Sequence, residues 1–367
     1  MDSVTQFALG AVVGTAVLGR RMGVRRAALT GGLLGTLPDL DVYLPAADPV
    51  DSFVSHRGAS HSLVVHAVLT PVIGEGLVRL FAALRGARGQ VYHAVFLCLA
   101  THALLDAMTV YGTRLFWPLW PEPLGLGSIF IIDPLYTLPL LVMMLWAFCQ
   151  RDWSMRFRKG VVFSLTASTL YLGWTVAAQQ IAEARGTAYL AAREITPELT
   201  TAGPTPLNSL FWRLIAVDGS QYYTVYIPLL GSESTVTAYK HPRWTDDVAC
   251  WAEQATAGEG LAGILARFAD GFYQITSEDR AVVVSDLRMG LFPRYVFRFA
   301  VAEHAADGIT DTAPRRLRSA RQGPGDMDWL VAGVLGRKSV RLAEAERLFE
   351  DGNIQIAAVD RPSVQAC

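Results

Sequence analysis

Long apolar runs fill the first half of the chain and then stop. Six stretches, roughly 4–19, 27–46, 61–84, 91–110, 128–149 and 160–181, approach the length of about 20 residues that crosses a bilayer, the first two being short or broken. From about residue 182 the pattern changes. FWRLIAV and YYTVYIPLL flank DGSQ, a turn sequence, and predict a β-hairpin. FYQITSE and AVVVSDLRMG predict a second hairpin and RYVFRFAVAE a fifth strand, whereas WTDDVACWAEQA and GLAGILARFAD carry helical spacing. The stretch 305–330 is polar, holds glycine and proline, and reads as a loop; KSVRLAEAERLFED (337–350) reads as a helix. The expected architecture is a polytopic α-helical membrane domain of about six spans over 1–181, followed by a small α+β soluble domain with an antiparallel sheet over 182–367. No internal repeat or low-complexity tract interrupts it.

Composition agrees with the pattern. The chain is 51% hydrophobic and 18% charged, too apolar for an ordinary soluble protein. A net charge of −1 lacks the basic footprint of a general nucleic-acid binder, so nucleic acid is not expected as a partner. The first apolar run does not resemble a signal peptide, because MDSVTQ has no positive charge and the basic residues follow the run. Basic loops RRMGVRR (20–26), RGAR (85–88) and RDWSMRFRK (151–159) fall between spans one and two, three and four, and five and six. All can therefore be cytoplasmic at once. Loops 47–60 and 111–127, and everything after about 182, are then expected on the outer, periplasmic side.

That topology used lysine and arginine alone, yet it gathers other chemistry on one side. Asp39 and Asp41 of LPDLD, His56 and His61 of HRGASHS, His66, His102 and Asp106 of THALLD, and Asp133 of FIIDPLY all fall at the outer ends of spans. Ionisable groups in a membrane are costly and by default suggest function. His102 and Asp106 stand at i and i+4, one turn apart on one helix face, a metal-ligand spacing that a plain helix-surface pair also satisfies. Asp39 and Asp41 would diverge on an α-helix but can face one side in a turn, which Pro38 favours; otherwise they are a polar helix end in water. Gly58 permits a tight turn that aims His56 and His61 at one point. Ser60 can cap the following helix. Arg57 suits a phosphate or carboxylate oxygen, or in a plain interfacial loop a lipid headgroup. His66, alone on an apolar helix, also fits an ordinary hydrogen-bonded core histidine.

Histidine and carboxylate without cysteine suit zinc first, with manganese or iron as alternatives, and one or two ions. Two ions would suit hydrolysis, one activating water and the other polarising the scissile group. Neither a GxSxG elbow nor a P-loop is present. The four cysteines show no CxxC spacing; Cys98 and Cys149 read as apolar fillers, and Cys250 and Cys367 could pair only in an oxidising compartment. His93, His241 and His304 fall outside the cluster.

PDLD, HRGASHS, THALLD, YGTRLFWPLW and IIDPLY, in that order, resemble the inner-membrane metal-dependent hydrolase family of bacteria, the YdjM-like family, over roughly residues 1–180. NSLFWRLIAVDGSQYYTVYIP, VSDLRMG and YVFRFAV resemble the extramembrane portion of its longer members. The resemblance implies a divalent-metal hydrolase of the inner membrane, with Asp39, Asp41, His56, His61, His66, His102 and Asp106 as matching polar positions. A more distant likeness to zinc-dependent phospholipase C rests on pairs spaced like His102 and Asp106 and implies phosphodiester cleavage. On this footing Asp39, Asp41, His56, His61, His102 and Asp106 are the expected metal ligands, and His66 a further ligand or a supporting catalytic group. Asp133 is the expected general base or histidine-orienting group. Arg57 and Ser60 face the substrate, expected to be a lipid or lipid-linked phosphoester because a site at that depth is reached from the bilayer. The soluble domain is a cap or partner-binding module, where Asp286 and Arg288 either reach the site or form a salt bridge. The rival reading is a non-catalytic metal-binding, transport or scaffold protein. The nearly all-apolar inner halves of spans three to five argue against a path through the bilayer.

Overall fold

The computed structural model describes residues 1–318 and 323–349 and divides into two compact units. The first comprises Met1–Pro45, Ser55–Ala178 and Pro206–Ser209; the second comprises Ala46–Val54, Gln179–Thr205 and the chain from Leu210 onward.

The first unit is helical. In chain order the helices are α1 (Ser3–Met22), α2 (Val24–Thr36), α3 (Pro49–Ser55, nearly all in the second unit), α4 (Leu63–Leu80), α5 (Arg88–Ala107), α6 (Pro134–Cys149) and α7 (Met155–Ala191, in the second unit from Gln179 on). Each of the six apolar stretches thus contains a helix. Among the described residues only α4 and α7, however, are long and apolar enough to cross a membrane, and α6 is a shorter apolar helix. The structure therefore supports two candidate spans, where the apolar pattern predicted six.

The packing of α1 and α2 shows why their apolar runs are weak. They meet through glycines, not large aliphatic side chains. A Cβ added at Gly10 would lie 2.4 Å from the Gly31 carbonyl oxygen, and one at Gly14 would lie 2.6 Å from the Gly31 Cα. Small residues four apart let two helix backbones touch, which gains dispersion contact at the expense of hydropathy. Helix starts follow ordinary capping chemistry. Asp2 caps α1 and Asp133 caps α6. The cap of α4 is Ser62, which accepts from the amides of Val64 and Val65, and not Ser60 as the sequence suggested.

The second unit is built on antiparallel sheets. Its elements are β1 (Leu199–Pro204), β2 (Phe211–Asp218), β3 (Gln221–Pro228), β4 (Thr237–Pro242), α8 (Ala249–Ala257), α9 (Leu261–Phe268), β5 (Tyr273–Glu278), β6 (Ala281–Asp286), β7 (Gly290–Leu291), β8 (Arg294–Tyr295), β9 (Arg298–Ala305), β10 (Gly308–Leu317), α10 (Asp326–Val334) and β11 (Leu348–Phe349). One sheet has the order β1-β2-β3-β4-β11 and another β10-β9-β6-β5. Both predicted hairpins form, with Asp218 opposite Gln221 and Glu278 opposite Ala281. Gly219 supplies the positive φ of 56° in the first turn.

Two segments correct the sequence reading. The supposed loop 305–330 contains β10 and the start of α10. Among the described residues β10 pairs with β9 alone, and its register shifts between Asp311 and Arg315, around Pro314. An edge strand tolerates proline and exposed polar residues, so its alternation is faint in the sequence. The predicted helix 337–350 is replaced by a 3-10 segment, Leu342–Arg347, and β11, while residue 350 lies outside the described residues. Tertiary bonds override helical propensity here. Glu344 is buried and accepts from Tyr226 (2.8 Å), His241 (3.1 Å) and Arg341 (2.9 Å), and Arg341 also reaches Asp326 (2.9 Å).

Asp286 and Arg288 form a salt bridge of 2.9 Å within this unit, with Asp270 a further partner of Arg288 at 2.7 Å. Cys98 and Cys149 are free. Cys367, with which Cys250 could pair in an oxidising compartment, lies outside the described residues.

Candidate metal centre

α2 ends at Thr36, and Pro38 opens a 3-10 turn over Pro38–Tyr43. With three residues per turn, Asp39 and Asp41 project in different directions. Asp39 meets two histidines. Its Oδ1 lies 3.4 Å from His61 Nε2 and 3.5 Å from His102 Nε2. Asp41 turns the other way, onto HRGASHS. It binds the His56 ring (2.8 Å), the Arg57 amide (3.0 Å) and the Ser60 hydroxyl (2.6 Å). Arg57 has a positive φ of 60°, so the tight left-handed position belongs to Arg57 and not to Gly58.

Asp39, His61, His102 and Asp106 form one cluster, and one ligand atom from each lies within 4.8 Å of the others. The two Nε2 atoms stand 3.0 Å apart. Asp106 Oδ2 lies 3.3 Å from His61 Nε2 and 3.5 Å from His102 Nε2. A tetrahedral ion with bonds of about 2.0–2.1 Å has ligands separated by about 3.3 Å. Five of the six separations in this set match that edge to within a few tenths of an ångström.

The surrounding bonds set the tautomers. His102 Nδ1 lies 2.6 Å from the Gly35 carbonyl, which can only accept, so Nδ1 carries the proton and Nε2 a lone pair. His61 Nδ1 rests on Ser60 Oγ at 2.9 Å, with Asp41 at 3.6 Å, which leaves its Nε2 free to ligate in the same way. Two lone pairs 3.0 Å apart repel unless a cation lies between them. Asp106 Oδ2, buried beside them, pairs with Arg57 Nε at 3.0 Å and faces both Nε2 atoms. These features fit a divalent ion held by two imidazoles and two carboxylates. The 3-10 turn that carries Asp39 and Asp41 lies outside the helices. Burial opposes the charge of Asp41, but hydrogen bonds from His56 and Ser60 outweigh it and hold that carboxyl below the usual range.

The other oxygen of Asp106 is fully engaged. It accepts from the Met1 amine and from Gln6 Nε2 (3.0 Å), and Gln6 also donates to the His102 carbonyl at 3.3 Å. Arg57 is buried, with Nε 3.0 Å from Asp106 Oδ2 and Nη1 on Thr109 Oγ1 at 3.0 Å.

The remaining sequence candidates take supporting positions. His56 and Asp41 stand one layer out from the four-residue cluster. His66 Nε2 lies on the Ser60 carbonyl at 2.8 Å, so it braces the HRGASHS turn. Ser60 links Asp41 to His61. The Asp133 carboxylate accepts from the Leu135 and Tyr136 amides (3.0 and 3.3 Å) and from the Tyr171 hydroxyl (2.8 Å). Sequence reasoning missed Gly35, Gln6 and Thr109. Gln6 had a signal, being a polar residue at the start of an apolar run. Gly35 had none, because its carbonyl acts and its side chain does not.

Residues 1–182 match the family model of the YdjM inner membrane protein. No curated protein and no solved structure matches the chain. Through this N-terminal half, which carries every residue of the centre, the chain belongs to the YdjM inner membrane protein family.

Proposed function

We propose that the cluster is the centre of a divalent-metal-dependent hydrolase of the inner membrane, acting at the periplasmic face on a lipid or lipid-linked phosphoester. The observation that carries this reading is the near-tetrahedral set of Asp39, His61, His102 and Asp106, with both imidazoles oriented by their other nitrogen. Zinc is the first choice for such a set, with manganese or iron next. A bound divalent ion would polarise a phosphoryl oxygen and acidify a water molecule. The protein's part is to hold, orient and screen. Asp39 has a side chain 21% exposed, whereas those of His61, His102 and Asp106 are fully buried, so approach to the centre runs past Asp39. Arg57 places a permanent positive charge beside Asp106, where an anionic substrate oxygen would be stabilised. The candidate spans α4 and α7 support a bilayer setting, and the basic loops support the periplasmic side.

One observation favours a second reading. Four protein ligands with three of them fully buried resemble a closed, structural metal site, since catalytic zinc keeps a position open for water. Two measurements separate the readings. Metal analysis of the detergent-purified protein should find about one ion per chain, lost in a His61→Ala, His102→Ala double variant; equal content in both would end the metal-centre reading. Incubation with vesicles of anionic phospholipid and with lipid-linked diphosphates should release phosphoester products only from the metal-loaded wild type. Bound metal without turnover on either substrate class would leave the structural reading standing.

A further inference from the structure

The chain between the two ligand-bearing turns behaves unlike its flanks. Residues 46–54 pack with the C-terminal unit, although Asp39 and Asp41 before them and His56 to His61 after them belong to the first. The segment is internally ordered. Asp48 accepts from the amides of Val50 (2.7 Å) and Asp51 (2.9 Å), and Asp51 accepts from the Ala47 amide (2.9 Å), which caps α3. Within 46–54 the buried residues are Val50 and Phe53, three apart and so on one helical face. The Phe53 ring lies 4.3 Å from that of Phe297, 4.5 Å from Phe268 and 5.2 Å from Phe299. These partners come from α9, β9 and the turn before β9. Such tilted aromatic contacts supply both buried area and directional preference.

The loop is thus held at two places. At its base Asp41 binds His56, Arg57 and Ser60. At its far end Phe53 is buried among three phenylalanines. His56 follows Phe53 by three chain steps, at most about 11 Å even if fully extended. Release of the anchor would therefore reach HRGASHS directly.

We infer that Phe53 is a positioning residue: by seating the 46–54 segment it holds the turns on either side, which carry Asp39 and His61. The inference rests on the metal-centre reading above.

The test is hydrogen exchange on the full-length protein in detergent, followed by mass spectrometry of a peptide covering 55–62, with zinc affinity measured in parallel. Phe53→Ala should speed exchange in that peptide about tenfold and weaken zinc binding by roughly the 10–100-fold seen when groups supporting a metal ligand are lost. Phe53→Leu should restore most of both. Val217→Ala, an equally buried change on β2, is the control for general loss of packing. Unchanged exchange in Phe53→Ala, or an equal increase in Val217→Ala, would overturn the inference. Wild-type protein that binds no zinc would instead sink the metal-centre reading, while the exchange data would still decide whether Phe53 anchors the loop.

Discussion

Gly35→Ala joins the helix packing to the chemistry of the centre. A methyl group at Gly35 would lie 2.7 Å from the Gln6 carbonyl oxygen and 2.9 Å from the Gly10 Cα. Both are backbone atoms on α1, so no rotamer change relieves the clash, and the two helices must move apart. Overpacking of this kind costs about 1–3 kcal/mol, against a helix-propensity gain of about 1 kcal/mol for replacing glycine by alanine. Separation also draws the Gly35 carbonyl away from His102 Nδ1, now 2.6 Å distant. Loss of that acceptor frees the imidazole to rotate and removes the preference for the Nδ1–H tautomer. Metal affinity should fall by about 10–100-fold, or roughly 1.4–2.7 kcal/mol. The assay is zinc competition against a chromophoric chelator in detergent, paired with thermal unfolding. Gly76→Ala is the comparison, because nothing lies within 4 Å of its added Cβ; it should leave zinc affinity unchanged and stability equal or slightly raised. The reasoning fails if Gly35→Ala matches Gly76→Ala in both measurements.

Other consequences follow from single residues. Asp41→Asn weakens the acceptor shared by His56, the Arg57 amide and Ser60, so zinc affinity should drop about tenfold with no loss of folding; unchanged affinity in the chelator assay would show that the turn holds without it. Asp133→Ala removes the α6 cap and should cost about 1 kcal/mol in thermal stability while metal content stays at the wild-type level; loss of metal would bring Asp133 back to the centre. In the C-terminal unit, burial pushes His241 below the ordinary histidine value of 6.5, hydrogen bonding to Glu344 only partly opposing it. A depressed histidine pKa means that the unfolded chain binds the proton first, so its stability contribution is present above 6.5 and is lost as pH falls towards the folded value. Burial raises Glu344, but its bonds with His241 and Arg341 prevail and lower it from 4.5, which adds a second loss at lower pH. Urea midpoints followed by tryptophan fluorescence should therefore be lower at pH 5.5 than at pH 8, and a flat profile would contradict the assignment.

Much of the architecture was legible in local pattern. Alternation around DGSQ, with Gly219 at the turn, predicts the β2–β3 hairpin because strand pairing across a tight turn is a local event. The i, i+4 spacing of His102 and Asp106 foretells that both face one point, because helix geometry is fixed. Asp39 of LPDLD and His61 of HRGASHS reach the same point in the fold. β10 was hidden because an edge strand needs few apolar residues, and 337–350 because Arg341 and Glu344 take partners distant in the chain.

By itself, then, the sequence determined which residue types could make a centre and set His102 and Asp106 on one helix face, since helix period and proline position act within a few residues. The tertiary structure alone decided how they share the work. Asp39 enters the cluster while Asp41 braces the turn, because a 3-10 turn points them apart. His66 braces a carbonyl and Asp133 caps a helix, because their partners are backbone groups that no side-chain pattern announces. Gly35 orients His102 through a carbonyl oxygen, and a backbone atom's role depends only on where the fold carries it.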